Sequence, residues 1–116
     1  MPFTLSLKRP FVADHFHDLP GFQEDRHGHN WEVEATAELA SEADEVAFGK
    51  ALDTWLAVLD YHLLNTLPAL EGRNPTAEVL AEWAFNYLRE ADLQPQSVKI
   101  REKANYWALC RGDATS

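Results

Sequence analysis

Between His27 and Ala40 the chain alternates without a break. Trp31, Val33, Ala35, Ala37 and Leu39 fall on one parity, and Asn30, Glu32, Glu34, Thr36 and Glu38 on the other. Successive side chains of a strand point to opposite faces, so this stretch predicts a strand with one buried and one wet side. A one-sided strand belongs to an antiparallel sheet with an apolar layer on one face only. The rest of the chain must therefore supply partner strands and that covering layer.

Both are legible. Phe3 to His15 predicts a first strand with Leu5, Leu7, Phe11, Ala13 and His15 on one face. Pro10 cannot donate to a ladder and implies an edge position or a bulge. A polar loop, Asp18 to Arg26, contains Pro20-Gly21 and joins it to the alternating strand. Ser97 to Glu102 predicts a third strand with Val98, Ile100 and Glu102 on one face, and Tyr106 to Arg111 a fourth. Val46 to Leu64 predicts a helix with Phe48, Leu52, Trp55, Leu59 and Leu63 at helical spacing and His62 on the same stripe. After a loop, Leu67 to Asn74, a second helix opens at Thr76 as N-cap with Glu78 in its first turn. Leu80, Trp83, Ala84, Tyr87 and Leu88 form its stripe. The order is ββααββ, an α+β fold whose antiparallel sheet carries two helices on one face. With 116 residues the chain is expected to be one domain, 1–116.

A net charge of −9 argues against nucleic acid as partner and against anionic membrane surfaces. No apolar run approaches the roughly 20 residues of a membrane span. Met1 to Lys8 lacks the layout of a signal peptide. The single cysteine, Cys110, allows no internal disulfide, so a cytoplasmic location is expected. A chain this small has a modest core, which favours a homo-oligomer. Arg111-Gly112-Asp113 is read as a polar tail rather than an adhesion motif.

Three of the five histidines stand out. His27-Gly28-His29 places two imidazoles on one face of a strand, two residues apart. His15 ends the first strand on its apolar parity. If these two strands form a hairpin, the three rings meet. Three imidazoles suit zinc and leave its fourth position open, as in catalytic sites. A lone histidine near a strand end is ordinarily packed there; a His-x-His pair with a third His alongside favours a metal. His17 shares the parity of His15 and is an alternative ligand.

At these residues the chain resembles the 6-pyruvoyl- and 6-carboxy-tetrahydropterin synthase family. Phe11-Val12-Ala13-Asp14-His15 resembles its Phe-x-Ala-x-His, and His27-Gly28-His29 matches its His-Gly-His. Leu59 to Asn65, Leu-Asp-Tyr-His-Leu-Leu-Asn, resembles Leu-Asp-His-x-x-Leu-Asn. Asn74-Pro75-Thr76-Ala77-Glu78 resembles Pro-Thr-x-Glu, and Glu102 matches the glutamate that anchors the pterin. The resemblance implies a tunnelling fold (T-fold) in which subunits join their sheets into an oligomeric barrel, a hexamer or similar. It implies zinc on His15, His27 and His29, and a pterin substrate bound by Glu102 and the Thr76 segment. A carboxylate can accept two parallel bonds from the amino group and ring N–H of a pterin. Without that role, Glu102 would read as a sheet-end ion-pair partner and Thr76 as a cap.

The chain also departs from the family. The synthases carry a cysteine four residues before the first His of His-Gly-His; here it is Gln23, which cannot ionise. The His of Leu-Asp-His is Tyr61. A Cys/Asp/His proton relay thus lacks two members. Glu24, three residues before His27, gives Glu-x-x-His-Gly-His, which resembles a subgroup in which glutamate replaces the cysteine. That subgroup cleaves the side chain of dihydroneopterin to 6-hydroxymethyl-dihydropterin, a folate precursor. The expected catalytic residues are then Glu24 as base, with Asp60 holding Tyr61 as proton donor. Two other readings stand beside this zinc lyase. One is a 6-carboxy-tetrahydropterin synthase on the queuosine and deazapurine route, working through an altered relay. The other is a pterin-binding homologue that has lost catalysis.

Overall fold

The computed structural model describes residues 2–19 and 22–112; the side chains of residues 17–27 lie outside the description. Five strands form one sheet in the order β3-β1-β2-β4-β5. They are β1 (Phe3–Leu19), β2 (Phe22–Leu39), β3 (His62–Leu63), β4 (Gln94–Lys103) and β5 (Tyr106–Arg111). Helices α1 (Glu42–Leu59) and α2 (Ala77–Glu90) cover one face. This is the α+β layout that the alternation demands. Among the described residues, no helix is long and apolar enough to cross a membrane.

The inner face is built by parity. Phe11, Ala13, Trp31, Val33, Ala35, Ala37, Leu39, Val98 and Ile100 are buried under Phe48, Leu52, Trp55 and Leu59 of α1 and Leu80, Ala84 and Leu88 of α2. Phe11 stands opposite Trp31 in the ladder, and their rings stack at 5.7 Å. Cross-strand aromatic pairs of this kind help hold antiparallel register.

Several boundaries differ from the sequence reading. The segment read as a loop, residues 18–26, is largely strand: Asp18 pairs with Gln23 and Leu19 with Phe22. Helix α1 starts earlier and ends earlier than Val46 to Leu64. Ser41 caps it by accepting from the Asp44 amide at 3.4 Å, and Asp44 Oδ2 accepts from the Ala40 amide at 2.9 Å. This reciprocal capping satisfies orphan donors four residues before the apolar stripe begins. At its other end Asp60 turns extended and Tyr61 adopts φ 60°, which breaks the helix. His62 is therefore not packed on the stripe of α1. It is exposed in β3, its Nδ1 2.8 Å from the Asp60 carbonyl oxygen. Two 3₁₀ turns follow, Leu64–Thr66 just before the expected loop of Leu67 to Asn74 and Pro68–Leu70 within it. Helix α2 begins as expected, with Thr76 Oγ1 accepting from the Val79 amide at 3.2 Å.

The outer edge of β1 explains Pro10. The Val12 amide donates to Asp60 Oδ1 at 2.9 Å, and the Val12 carbonyl accepts from the Tyr61 amide, both on the side away from β2. Two residues earlier the backbone faces the same way, so the N–H that Pro10 lacks would point away from the ladder. β3 pairs only with Ala13 and Asp14, which leaves Pro10 on an open edge.

Candidate functional site

The inward parity of β1, β2 and β4 brings three polar groups together at one end of the core. His15 is fully buried and Glu102 is 8% exposed, the two buried polar residues among those described. Glu102 Oε1 lies 3.1 Å from His15 Nε2 and 3.9 Å from His29 Nε2. The three ligand atoms lie within 4.8 Å of one another.

Each element contributes a specific constraint. Ala13 is opposite His29 and His15 opposite His27, so His15 and His29 are diagonal neighbours, their ring centroids 5.1 Å apart. Trp31 meets both imidazoles edge to face, at 5.0 Å and 5.7 Å, and donates from Nε1 to the Ala13 carbonyl at 3.1 Å. Glu102 sits where the β4–β5 register shifts, between Arg101 opposite Trp107 and Lys103 opposite Tyr106. It keeps the inward parity of Val98 and Ile100. Gly28 faces Asp14, and a Cβ there would stand 2.7 Å from Asp14 Oδ1. A side chain at this position would displace the Asp14 carboxylate.

The segment before α2 also reaches the site. His15 Nδ1 is 2.9 Å from the Pro75 carbonyl oxygen. A carbonyl can only accept, so Nδ1 carries the proton and Nε2 is left as the metal-binding atom of a neutral ring. Two lone pairs cannot face each other at 3.1 Å; between His15 Nε2 and Glu102 Oε1 a cation is required, either a proton or a metal ion. Two imidazoles and a carboxylate are donors that suit zinc. The donor set fits.

The family model of 6-pyruvoyl tetrahydropterin synthase matches residues 4–113. The chain belongs to the 6-pyruvoyl tetrahydropterin synthase family. Solved structures agree in fold at low sequence identity. The Caenorhabditis elegans 6-pyruvoyl tetrahydropterin synthase superposes with TM-score 0.80 at 17% identity, covering 97% of each chain. The Plasmodium falciparum enzyme gives 0.70 at 15% identity, covering 96% of this chain and 98% of its own. The Plasmodium vivax enzyme gives 0.71 at 14%, covering 97% and 99%. The vivax structures include forms in which a glutamate described as a catalytic residue is replaced by cysteine or alanine.

Against the family motifs, the structure brings His15, His29 and Glu102 together. The side chains of Glu24, His27, His17 and Gln23 lie outside the described residues; in the backbone ladder Glu24 is opposite His17. Asp60 Oδ1 accepts from the Val12 amide at 2.9 Å. Tyr61 is 81% exposed. Asn65 completes the same motif by accepting from the Phe16 amide at 2.9 Å and donating to its carbonyl at 3.1 Å. Thr76 spends its oxygen on the cap of α2.

Sequence reasoning missed two features, the role of Pro75 and the bond between Tyr106 and Glu78. Pro75 acts through its carbonyl, which no side-chain pattern reveals. Glu78 accepts from the Tyr106 hydroxyl at 2.9 Å. The bond to Glu78, burial, and the charges of Glu78 and Glu102 push the Tyr106 phenol above its usual value. The Pro-Thr-x-Glu motif carried the signal for Glu78, though not for its partner. Cys110 offers no substitute for the family's cysteine: burial and the Glu82 charge outweigh Arg89 and raise its thiol, so the proton stays on at neutral pH.

Proposed function

We propose that this chain is a zinc-dependent lyase acting on the side chain of 7,8-dihydroneopterin or its triphosphate and giving 6-hydroxymethyl-dihydropterin, a folate precursor. The observation that carries the reading is the convergence of His15 and His29 with Glu102, in which the Pro75 carbonyl presets His15 as a ligand. Zinc held by His15, His27 and His29 would polarise the side-chain hydroxyls of the substrate. Glu102 and the Thr76 segment would hold the pterin ring, Glu102 accepting two parallel bonds. Glu24 would take the proton from the hydroxyl on the second side-chain carbon, and the bond from that carbon to the ring-attached carbon would break. The outer two carbons would leave as an aldehyde, glycolaldehyde or its phosphorylated form. The pterin ring accepts the electron pair, and a proton returns to the product.

Gln23 cannot ionise and Cys110 keeps its proton, which leaves Glu24 as the base. The glutamate described as catalytic in the Plasmodium vivax enzyme supports a glutamate in that role within the family. Tyr61 is the candidate proton donor. Because its ring is 81% exposed in the single chain, it would act at a boundary between copies, with Asp60 fixing the turn that presents it. The test is product analysis by mass spectrometry after incubation of the zinc-loaded protein with dihydroneopterin and, separately, its triphosphate. Release of 6-hydroxymethyl-dihydropterin is expected. Formation of 6-carboxy-tetrahydropterin from the triphosphate would overturn the proposal in favour of the deazapurine-route enzyme, and tight binding without turnover would leave a pterin-binding protein.

A further inference from the structure

Under the reading above, the Glu102 carboxylate meets two demands that it cannot satisfy together. Holding a pterin ring takes both of its oxygens, side by side, for the amino group and ring N–H. Yet Oε1 is already turned to the imidazoles, 3.1 Å from His15 Nε2 and 3.9 Å from His29 Nε2. Two ligands of one tetrahedral zinc, each about 2.0–2.2 Å from the ion, stand about 3.3–3.6 Å apart. The two distances bracket that separation. The Glu102 side chain is only 10% exposed, and among the described residues its polar partners are these two rings. A buried carboxylate needs a cation, and among the described residues neither Lys nor Arg forms an ion pair with it.

We infer that Glu102 is a ligand of the metal in the substrate-free protein and leaves it to bind the pterin ring, so that the ring's arrival opens the coordination position for the substrate's side chain. The inference rests on the metal and pterin reading above. The register shift at Glu102 supports it, because the shift leaves this residue without a partner in the β4–β5 ladder. The consequence is a reciprocal coupling: a pterin without side-chain hydroxyls and the metal weaken each other's binding through one carboxylate. A substrate with hydroxyls replaces the ligand it removes, and so escapes the opposition.

The experiment uses cobalt(II) as the metal and unsubstituted pterin as the ring. Cobalt absorption reports coordination and pterin fluorescence reports ring binding. In the parent protein the cobalt bands should change in step with ring saturation, and the metal should bind about fivefold or more weakly when the ring is present. Glu102→Gln should show, without pterin, a cobalt spectrum like that of the pterin-saturated parent, with metal affinity about tenfold or more lower. Saturation of the parent by pterin with unmoved cobalt bands overturns the inference, as does a Glu102→Gln spectrum identical to the parent's. The parent titration decides the matter alone if that variant does not fold. Failure of the parent to take up cobalt at all, or to bind pterin, is a different result: it overturns the underlying reading, and this inference with it.

Discussion

His15 has no freedom over which nitrogen it offers. Its Nδ1 is committed to the Pro75 carbonyl and its ring is wedged against Trp31 and His29. His29 is less enclosed, its side chain 20% exposed, and it contributes the second imidazole. His29→Ala is expected to lose most bound zinc, which elemental analysis of the purified variant would reveal; full metal content would remove His29 from the ligand set. Glu24→Gln preserves size and hydrogen-bonding shape but not the titratable carboxylate. It should lower turnover of dihydroneopterin by about 10²–10⁴ while leaving zinc content and pterin affinity near those of the parent. Turnover at the parental rate would eliminate Glu24 as base. Tyr106 supplies a prediction in pH. Its phenol is raised by Glu78, so the bond between them is present below the ordinary tyrosine range and is lost as pH climbs through the higher folded value. Ultraviolet titration of the parent minus Tyr106→Phe isolates this phenol, and Glu78→Gln should bring its ionisation to lower pH. An unchanged midpoint in Glu78→Gln would mean that the bond is not formed in solution.

At the level of elements, the motif from Leu59 to Asn65 reads differently in three dimensions than in sequence. Its Asp and Asn close the outer edge of β1 on either side of the short β3 pairing, Asp60 taking the Val12 amide and Asn65 both polar groups of Phe16. That edge carries His15, so the motif positions the site through the backbone. Asp60→Ala should leave the part-buried Val12 amide unpaired and cost about 1–3 kcal/mol. Asp60→Asn retains an acceptor oxygen and should stay within about 0.5 kcal/mol of the parent. Urea unfolding of the two variants checks both, and an Asp60→Ala midpoint equal to the parent's would contradict the edge role. The body of the four long strands, the second helix and the inward parity of His15, His29 and Glu102 were legible because periodicity and caps are local, whereas β3 was read as helix. The start of α1 was legible too, in Ser41 and Asp44, but exposed Val46 drew the boundary inward. Its end was not: a tyrosine at φ 60° has no glycine to announce it, and helical spacing simply continues through His62 and Leu63. Nor could the pattern show that Glu102 meets the imidazoles, since that depends on which residues of β2 and β4 pair, here Glu32 with Arg101.

The whole molecule presents a sheet with open edges. Among the described residues only His62 and Leu63 pair in the ladder on the outer side of β1, and no strand lies beyond β5 at the other end of the sheet. On β5, Tyr106, Trp107 and Leu109 are 42%, 51% and 46% exposed. Edge strands that display large apolar side chains pair readily with another chain. The radius of gyration, 14.6 Å, exceeds the roughly 13.4 Å expected of a compact chain of this length, in keeping with a long β1–β2 hairpin. A contact between two different edges is heterologous, and such contacts close into rings when the rotation allows. The chain is therefore expected to form a closed homo-oligomer by joining β5 of one copy to β1 of the next. Light scattering at micromolar concentration should return a mass several times that of one chain. Leu109→Glu puts a charge on the β5 edge at a residue 46% exposed and opposite Lys99, so it should shift the mass toward the monomer and change the chain's own stability by no more than about 0.5 kcal/mol. If the parent protein is a strict monomer, edge-to-edge assembly fails. A Tyr61 exposed in the single chain would then have no neighbouring site to serve, and the proton donor would have to be sought within the chain.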